Sequence, residues 1–203
     1  VDAIDLAVVE WNAQHPPKLI AHAEYPWEES LQHQLLTLPE TPHISLQTLG
    51  QLDVACGKAF AYAITRFLNE HAISPQEISV IGSHGQTVWH SPHGEHPFSL
   101  QLGHPAIIAK YTGVTTAGDF RMDDIALGGQ GAPLAPALHN LLFAKQDQMV
   151  AVLNLGGIAN LSLFFPDGHQ LGFDTGPANT LLDAWYRLHH PDSNITFDAH
   201  GAW

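Results

Sequence analysis

MVAVLNLGGIANLSLFF, residues 149–165, holds two apolar runs, Met149–Leu155 and Ile158–Phe165, with only Gly156-Gly157 between them. Tight hairpin turns need positive φ, which glycine adopts without steric penalty, so the stretch predicts an antiparallel hairpin. A third strand is expected near Gln170–Phe173, then Asp174-Thr175-Gly176-Pro177 and a helix through Leu188. Near the other end of the chain, Ala3–Trp11 and Lys18–Tyr25 flank a polar turn holding Pro16 and Pro17, and predict a second hairpin or meander. From Ser45 to His71 the apolar positions Leu49, Leu52, Cys56, Ala59, Phe60, Ala63 and Phe67 recur every three or four residues, the spacing of one helix face. Ser74-Pro75-Gln76-Glu77 marks a brief further helical turn. Short strands at Ile78–Ile81, Thr87–His90, Pro97–Leu102 and Val114–Ala117, with helices over Pro105–Tyr111 and from Pro133 to about Lys145, fill the middle. Hairpins, helices and hairpins again specify an α/β class with mixed sheets rather than a purely parallel, doubly wound one. A hairpin near each end points to two related lobes.

The 203 residues carry seven Lys and Arg against twenty Asp and Glu, a formal charge of −13. Such a surface repels nucleic acid and anionic lipid, so neither is an expected partner, and no apolar run reaches membrane-spanning length. An anionic ligand would have to be neutralised by backbone N–H groups or a metal ion. Cys56 stands alone, which excludes an intramolecular disulfide and suits a reducing compartment. The chain opens inside a strand without Met and stops abruptly at FDAHGAW, which reads as a fragment of a longer protein.

In GDFRMDDIALGGQGAPLAP (118–136), Asp119 is expected to end a strand, and on extended backbone Asp119 and Arg121 point to one side while Phe120 points to the other. That puts a carboxylate able to act as a general base beside a cation, although an Asp–Arg pair bracing a loop fits the spacing as well. Asp123 and Asp124 suit a turn or a helix N-terminus. Gly128-Gly129-Gln130-Gly131, ahead of a helix, either presents N–H groups to an anion or sugar hydroxyl or is a plain connection; it matches neither a Walker loop nor a dinucleotide fingerprint. Asn154 to Asn160 at a hairpin tip either admits a phosphate close to the backbone or is a turn chosen for φ. Asp174 and Thr175 either support a magnesium–phosphate unit through water or cap the following helix. His84, His90, His93 and His96 invite a metal reading, but they lack helical i, i+4 pairing and lie among prolines and glycines, which favours a surface loop. Gly82-Ser83-His84-Gly85 is not a nucleophile elbow, which needs Gly-x-Ser-x-Gly.

Taken together and in order, SHGQTVWH (83–90), GDFRMDDIALGGQGAPLAP (118–136), NLGGIANLS (154–162) and GFDTGPANTLLDAW (172–185) resemble the anhydro-N-acetylmuramic acid kinases. VDAID (1–5) resembles the second half of that family's N-terminal phosphate loop. The resemblance runs over the whole chain, which would make up somewhat more than half of a full family member. It implies an actin-like (sugar kinase/heat-shock ATPase) fold of two lobes around a nucleotide cleft, residues 1–147 forming the first lobe and 148–203 beginning the second. It also implies ATP and Mg2+ as cofactors, and phosphorylation of O6 of 1,6-anhydro-N-acetylmuramic acid while water opens the anhydro ring. The setting implied is a cytoplasmic enzyme of cell-wall recycling, and a homodimer is compatible with it. Asp119 takes the family's base position. Arg121, His84, Gln86, Gly129 and Gln130 fall on the sugar side. Asp2, Asn154, Gly156, Gly157, Asn160, Asp174, Thr175, Gly176 and Asn179 fall on the nucleotide phosphates, with Mg2+ reached through water from Asp2 or Asp174. Ala178 and Ala3 replace glycines of the family pattern. The fragment alone is expected to be inactive, and a noncatalytic sugar- or nucleotide-binding relative of the same fold is the alternative.

Overall fold

A computed structural model describes residues 3–12, 15–41, 43–145 and 147–203. The chain is mixed α/β with several small sheets, and it forms two compact units, Val1–Gly131 and Ala132–Trp203.

The first unit opens with the expected hairpin, β1 (Ile4–Asn12) and β2 (His15–Tyr25), antiparallel with Ile4 opposite Tyr25. Alternation along the strands sends Ile4, Leu6 and Val8 inward with Ala21 and Ala23, against a core built on the longest helix. That helix, which we label αL for its length until its neighbours are placed, spans Leu46–Glu70 and starts where Ser45 Oγ accepts the Thr48 N–H at 3.0 Å. Its buried stripe of Leu52, Cys56, Ala63, Ile64 and Phe67 realises the apolar period. Cys56 is fully buried, and its desolvation, with the neighbouring charge of Asp53, pushes the thiol up to about 12. At the helix's last turn the Tyr25 hydroxyl donates to Glu70 at 2.6 Å, and Arg66 pairs with Glu70 at 2.7 Å while lying over the Tyr25 ring. These contacts close the hairpin onto the helix.

Between hairpin and long helix stands a helix with no counterpart in the sequence reading, α1 (Glu29–Thr37), so the long helix is α2 from here on. Its cap is Glu28, whose carboxylate accepts the Ser30 and Leu31 N–H groups; the usual Ser, Thr, Asp or Asn signal is missing. The Ile78–Ile81 run yields only β3 (Ile81–Gly82), paired parallel with β6 (Thr116–Ala117), because these are the residues that meet a backbone partner. The two expected middle strands form an antiparallel pair, β4 (Gln86–Ser91) and β5 (Phe98–Leu102). Helix α3 (Pro105–Thr112) buries Ile108 completely and lays Ile107 against Gly57 of α2, 3.1 Å from where a Cβ would stand. A further helix, α4 (Phe120–Ala126), takes the place of the extended backbone expected after Asp119.

In the second unit, α5 (Ala135–Phe143) precedes an antiparallel sheet of β7 (Val150–Leu155), β8 (Ile158–Phe164) and β9 (Gln170–Pro177), which leads to α6 (Asn179–His189). His139 of α5 meets the fully buried Ser162 hydroxyl of β8 at 2.9 Å. The β7–β8 hairpin is where the glycine pair predicts it, but for a different reason. Pairing ends at Leu155 opposite Ala159, leaving a three-residue loop, and neither Gly156 nor Gly157 takes a left-handed φ. Gly157 is demanded by close approach instead: a Cβ there would lie 2.8 Å from Thr180 Oγ1. Among the described residues no helix is long and apolar enough to cross a membrane.

Replacing Ile108 with Ala is expected to lower stability by about 2–5 kcal/mol, read as a shift of the urea midpoint at unchanged slope. Cys56 is expected to resist an aromatic disulfide reagent in the native protein and to react fully once the chain is unfolded, which a thiol titration in buffer and in denaturant checks.

Candidate functional site

Strands β3 and β6 run parallel and end together, at Gly82 and Ala117. The chain leaves these two C-terminal ends as Ser83-His84-Gly85 and Gly118-Asp119, and the C-terminal ends of parallel strands are where open α/β sheets bind ligands. Gly118 packs closely on the start of α3, where a Cβ would lie 3.2 Å from Pro105 Cγ. A cleft of about 330 Å³ opens at this point, with Asp53, Ser83, His84, His104 and Asp119 in its wall beside the apolar Leu49 and Leu100.

Asp119 has φ 61° and ψ 25°, the left-handed conformation that short polar side chains tolerate best after glycine. It stands at the N-cap of α4, yet its side chain makes no capping bond. Among the described residues the exposed carboxylate has no hydrogen-bond or ion-pair partner, so it faces the cleft uncommitted. This corrects the strand alternation: the strand ends at Ala117, Asp119 reverses the backbone, and Arg121 belongs to a helix, where residues two apart point to different sides. Arg121 turns instead to the other strand exit. Its Nε donates to His84 Nε2 at 2.9 Å and its Nη1 to the Gly131 carbonyl at 3.2 Å.

Asp124, read as a turn or helix-start residue, holds the glycine run. Its Oδ2 accepts the Gly131 N–H at 2.7 Å, and a Cβ on Gly129 would collide with its carboxylate. Gly129 and Gln130 lie outside the cleft wall, as does Gln86, whose amide donates to the Thr87 carbonyl at 3.2 Å. The sequence reading missed Asp53, whose Oδ1 accepts the Gly103 N–H at 2.8 Å. The signal was there: Asp53 follows Leu49 by four and precedes Cys56 by three, a carboxylate on the apolar stripe of α2. The loop histidines do not converge, and His90 Nδ1 sits 3.1 Å from Ser99 Oγ. Among the described residues, the group of His and carboxylate side chains with ligand atoms within 4.8 Å of one another is Asp5, His22 and Glu24, on the β1–β2 hairpin.

In the second unit the residues expected at the phosphates gather at one end of the sheet. Asn154, Asn160 and Asp174 pair across β7, β8 and β9 in one row. Asn160 Oδ1 is buried and has no hydrogen-bond partner among the described residues. The hairpin loop is fastened to the start of α6: the Asn179 N–H donates to the Gly156 carbonyl at 3.0 Å, and those of Ala178 and Thr180 to Gly157 at 2.9 and 3.1 Å. The Asn179 amide donates to the Leu155 carbonyl at 3.1 Å. Neither Asp174 nor Thr175 caps α6; Ala178 occupies the N-cap, and Thr175 Oγ1 donates to the Ala159 carbonyl at 3.1 Å. Ala178, which replaces a glycine of the family pattern, has φ −126° and ψ −106°. Asp2 lies outside the described residues.

The sequence matches one kinase family from end to end. The profile of the anhydro-N-acetylmuramic acid kinases covers residues 1–203, and the chain belongs to that family. Proteins named anhydro-N-acetylmuramic acid kinase are similar to it in Pasteurella multocida, 44% identical over 204 residues, and in Haemophilus influenzae, 42% over 203. These matches take in all of this chain and 53% and 52% of those relatives. The one in Vibrio vulnificus is 47% identical over 189 residues, covering 93% of this chain and 51% of the relative. The chain thus spans about half the length of the curated relatives it matches.

Asp124→Ala should free the Gly131 N–H, costing about 1.5–3 kcal/mol for a hydrogen bond to an ionised acceptor. Hydrogen exchange is expected to speed up at Gly129 and Gly131 in that variant while the β7–β9 sheet keeps its protection.

Proposed function

We propose that the complete protein phosphorylates 1,6-anhydro-N-acetylmuramic acid at O6 while water opens the anhydro ring, giving N-acetylmuramic acid 6-phosphate in cytoplasmic cell-wall recycling. The observation that carries the reading is an uncommitted Asp119 carboxylate in the cleft of a chain that belongs to this kinase family. In this reading Asp119 accepts a proton from the water that attacks C1, and the C1–O6 bond breaks as O6 takes the phosphoryl group. A positioned base of this kind contributes on the order of 10²–10⁴ in rate. In this reading His84 in the cleft wall orients the sugar with Arg121 behind it, and Gln86, Gly129 and Gln130, which lie outside the wall, would meet the sugar only beyond it.

The residues of the second unit fit a magnesium–nucleotide phosphate group. Asn160 Oδ1 is a buried acceptor that a water on Mg2+ would satisfy, and Asp174 stands opposite it on β9. Asn154, Gly156, Gly157, Asn160, Thr175, Gly176 and Asn179 would hold the phosphates, and either Asp174 or Asp2 would reach Mg2+ through water. Bound MgATP supplies the transferable phosphoryl group. The actin-like fold, the lobe division at 147/148 and a homodimer belong to this reading.

A coupled assay of the complete protein with ATP and the anhydro sugar tests it. Wild type is expected to release ADP in step with the sugar 6-phosphate, and Asp119→Asn to lose about 10²–10⁴-fold in kcat with sugar binding retained. Sugar binding without turnover in wild type would instead establish a noncatalytic binding relative, and an unimpaired Asp119→Asn would remove Asp119 from the base's place.

A further inference from the structure

His84 has both ring nitrogens engaged by groups of fixed hydrogen-bonding character. Nε2 lies 2.9 Å from Arg121 Nε, and a guanidinium N–H only donates. Nδ1 lies 2.9 Å from the Gly85 carbonyl oxygen, which only accepts. A single form of the imidazole satisfies both partners: neutral, with the proton on Nδ1. Free histidine has no such constraint, and the cationic ring, with N–H on both sides, would set donor against donor and cation against cation at Arg121.

The partners are themselves fixed. Gly85 has φ +71°, and a Cβ there would lie 2.9 Å from the Leu102 carbonyl oxygen, so its own carbonyl is aimed by a backbone that only glycine accommodates without strain. Arg121 is anchored at a second point by the Gly131 carbonyl, and Gly131 in turn by Asp124. A chain of contacts therefore runs from Asp124 through Gly131 and Arg121 to His84, ending in the wall of the cleft that holds Asp119.

We infer that His84 is a positioning residue, locked as the neutral Nδ1–H tautomer, which fixes Arg121 beside the Asp119 cleft and does not exchange protons with a bound sugar. The part played at the cleft rests on the kinase reading above; the tautomer and its dependence on Arg121 do not. Around His84 the ionisable groups are Arg121 on α4, Asp119 at its start, Asp53 on α2 and His104 at the start of α3, with His90 nearby on β4 under the field of Arg121.

Two measurements on the complete protein test this. With 15N-labelled histidine at pH 8, long-range 1H–15N correlation should show one imidazole, assigned by its loss in His84→Gln, with Nδ1 protonated and Nε2 bare. In Arg121→Ala the same ring should revert towards the Nε2–H form favoured by free histidine. An Nε2–H ring in wild type, or a tautomer indifferent to Arg121, overturns the inference. In the kinase assay His84→Gln, whose amide can accept from Arg121 and donate to Gly85, should keep at least about tenfold more kcat/KM than His84→Ala. Gln as inactive as Ala would mean that His84 moves protons, and would overturn it too. Should wild type show no kinase activity at all, the functional reading fails while the spectroscopic result still decides the tautomer.

Discussion

The left-handed backbone of Asp119 is the constraint on which the first site depends. Only Gly118 and Asp119, the latter with φ 61°, separate the end of β6 at Ala117 from the start of α4. If Asp119 were extended, the chain would continue as strand and carry Arg121 and Asp124 away from the exits of β3 and β6. Because it reverses, α4 folds back so that Arg121 meets His84 and Asp124 meets Gly131. Backbone conformations of this kind cost of order 1–3 kcal/mol for residues other than glycine, and they persist where surrounding contacts over-determine them. Here the surrounding contacts are the helix that follows and the buried Ile125 within it.

That geometry divides the three aspartates of the stretch by what their oxygens meet. Asp124 is committed to the Gly131 N–H, Asp123 lies in the first turn of α4, where a negative charge complements the helix dipole, and Asp119 faces the cleft with no partner among the described residues. Asp53 is held by the Gly103 N–H across the same cleft, so it presents a carboxylate whose orientation is set before any ligand arrives. The cleft accordingly joins one unbonded carboxylate to one braced one, beside the apolar Leu49 and Leu100.

The sequence discloses some of this and conceals the rest for identifiable reasons. The long helix and the paired strands were legible because burial imposes their periods directly, as the stripe from Leu52 to Phe67 and the alternation of Ile4, Leu6 and Val8 attest. Helix α1 was not, since its cap is a glutamate and only Leu31 and Leu35 are buried along it. The alternation argument chose Asp119 for a reason that the fold does not use, because nothing in Gly-Asp-Phe-Arg signals a left-handed aspartate. In the same way Gly156-Gly157 marked the hairpin while its physical cause, the proximity of Thr180, lies twenty-odd residues further along the chain. Periodicity reveals what faces the core; contacts between distant segments leave no periodic trace.

The fastening of the β7–β8 loop to α6 has one more consequence. A helix start usually offers an incoming anion both a positive potential and free N–H groups. Here the N–H groups of Ala178, Asn179 and Thr180 already point at the carbonyls of Gly156 and Gly157, so the helix contributes field without donors. Attraction of that kind depends on charge and distance and is nearly indifferent to how the anion is turned. Orientation is left to side chains, chiefly the row of Asn154, Asn160 and Asp174.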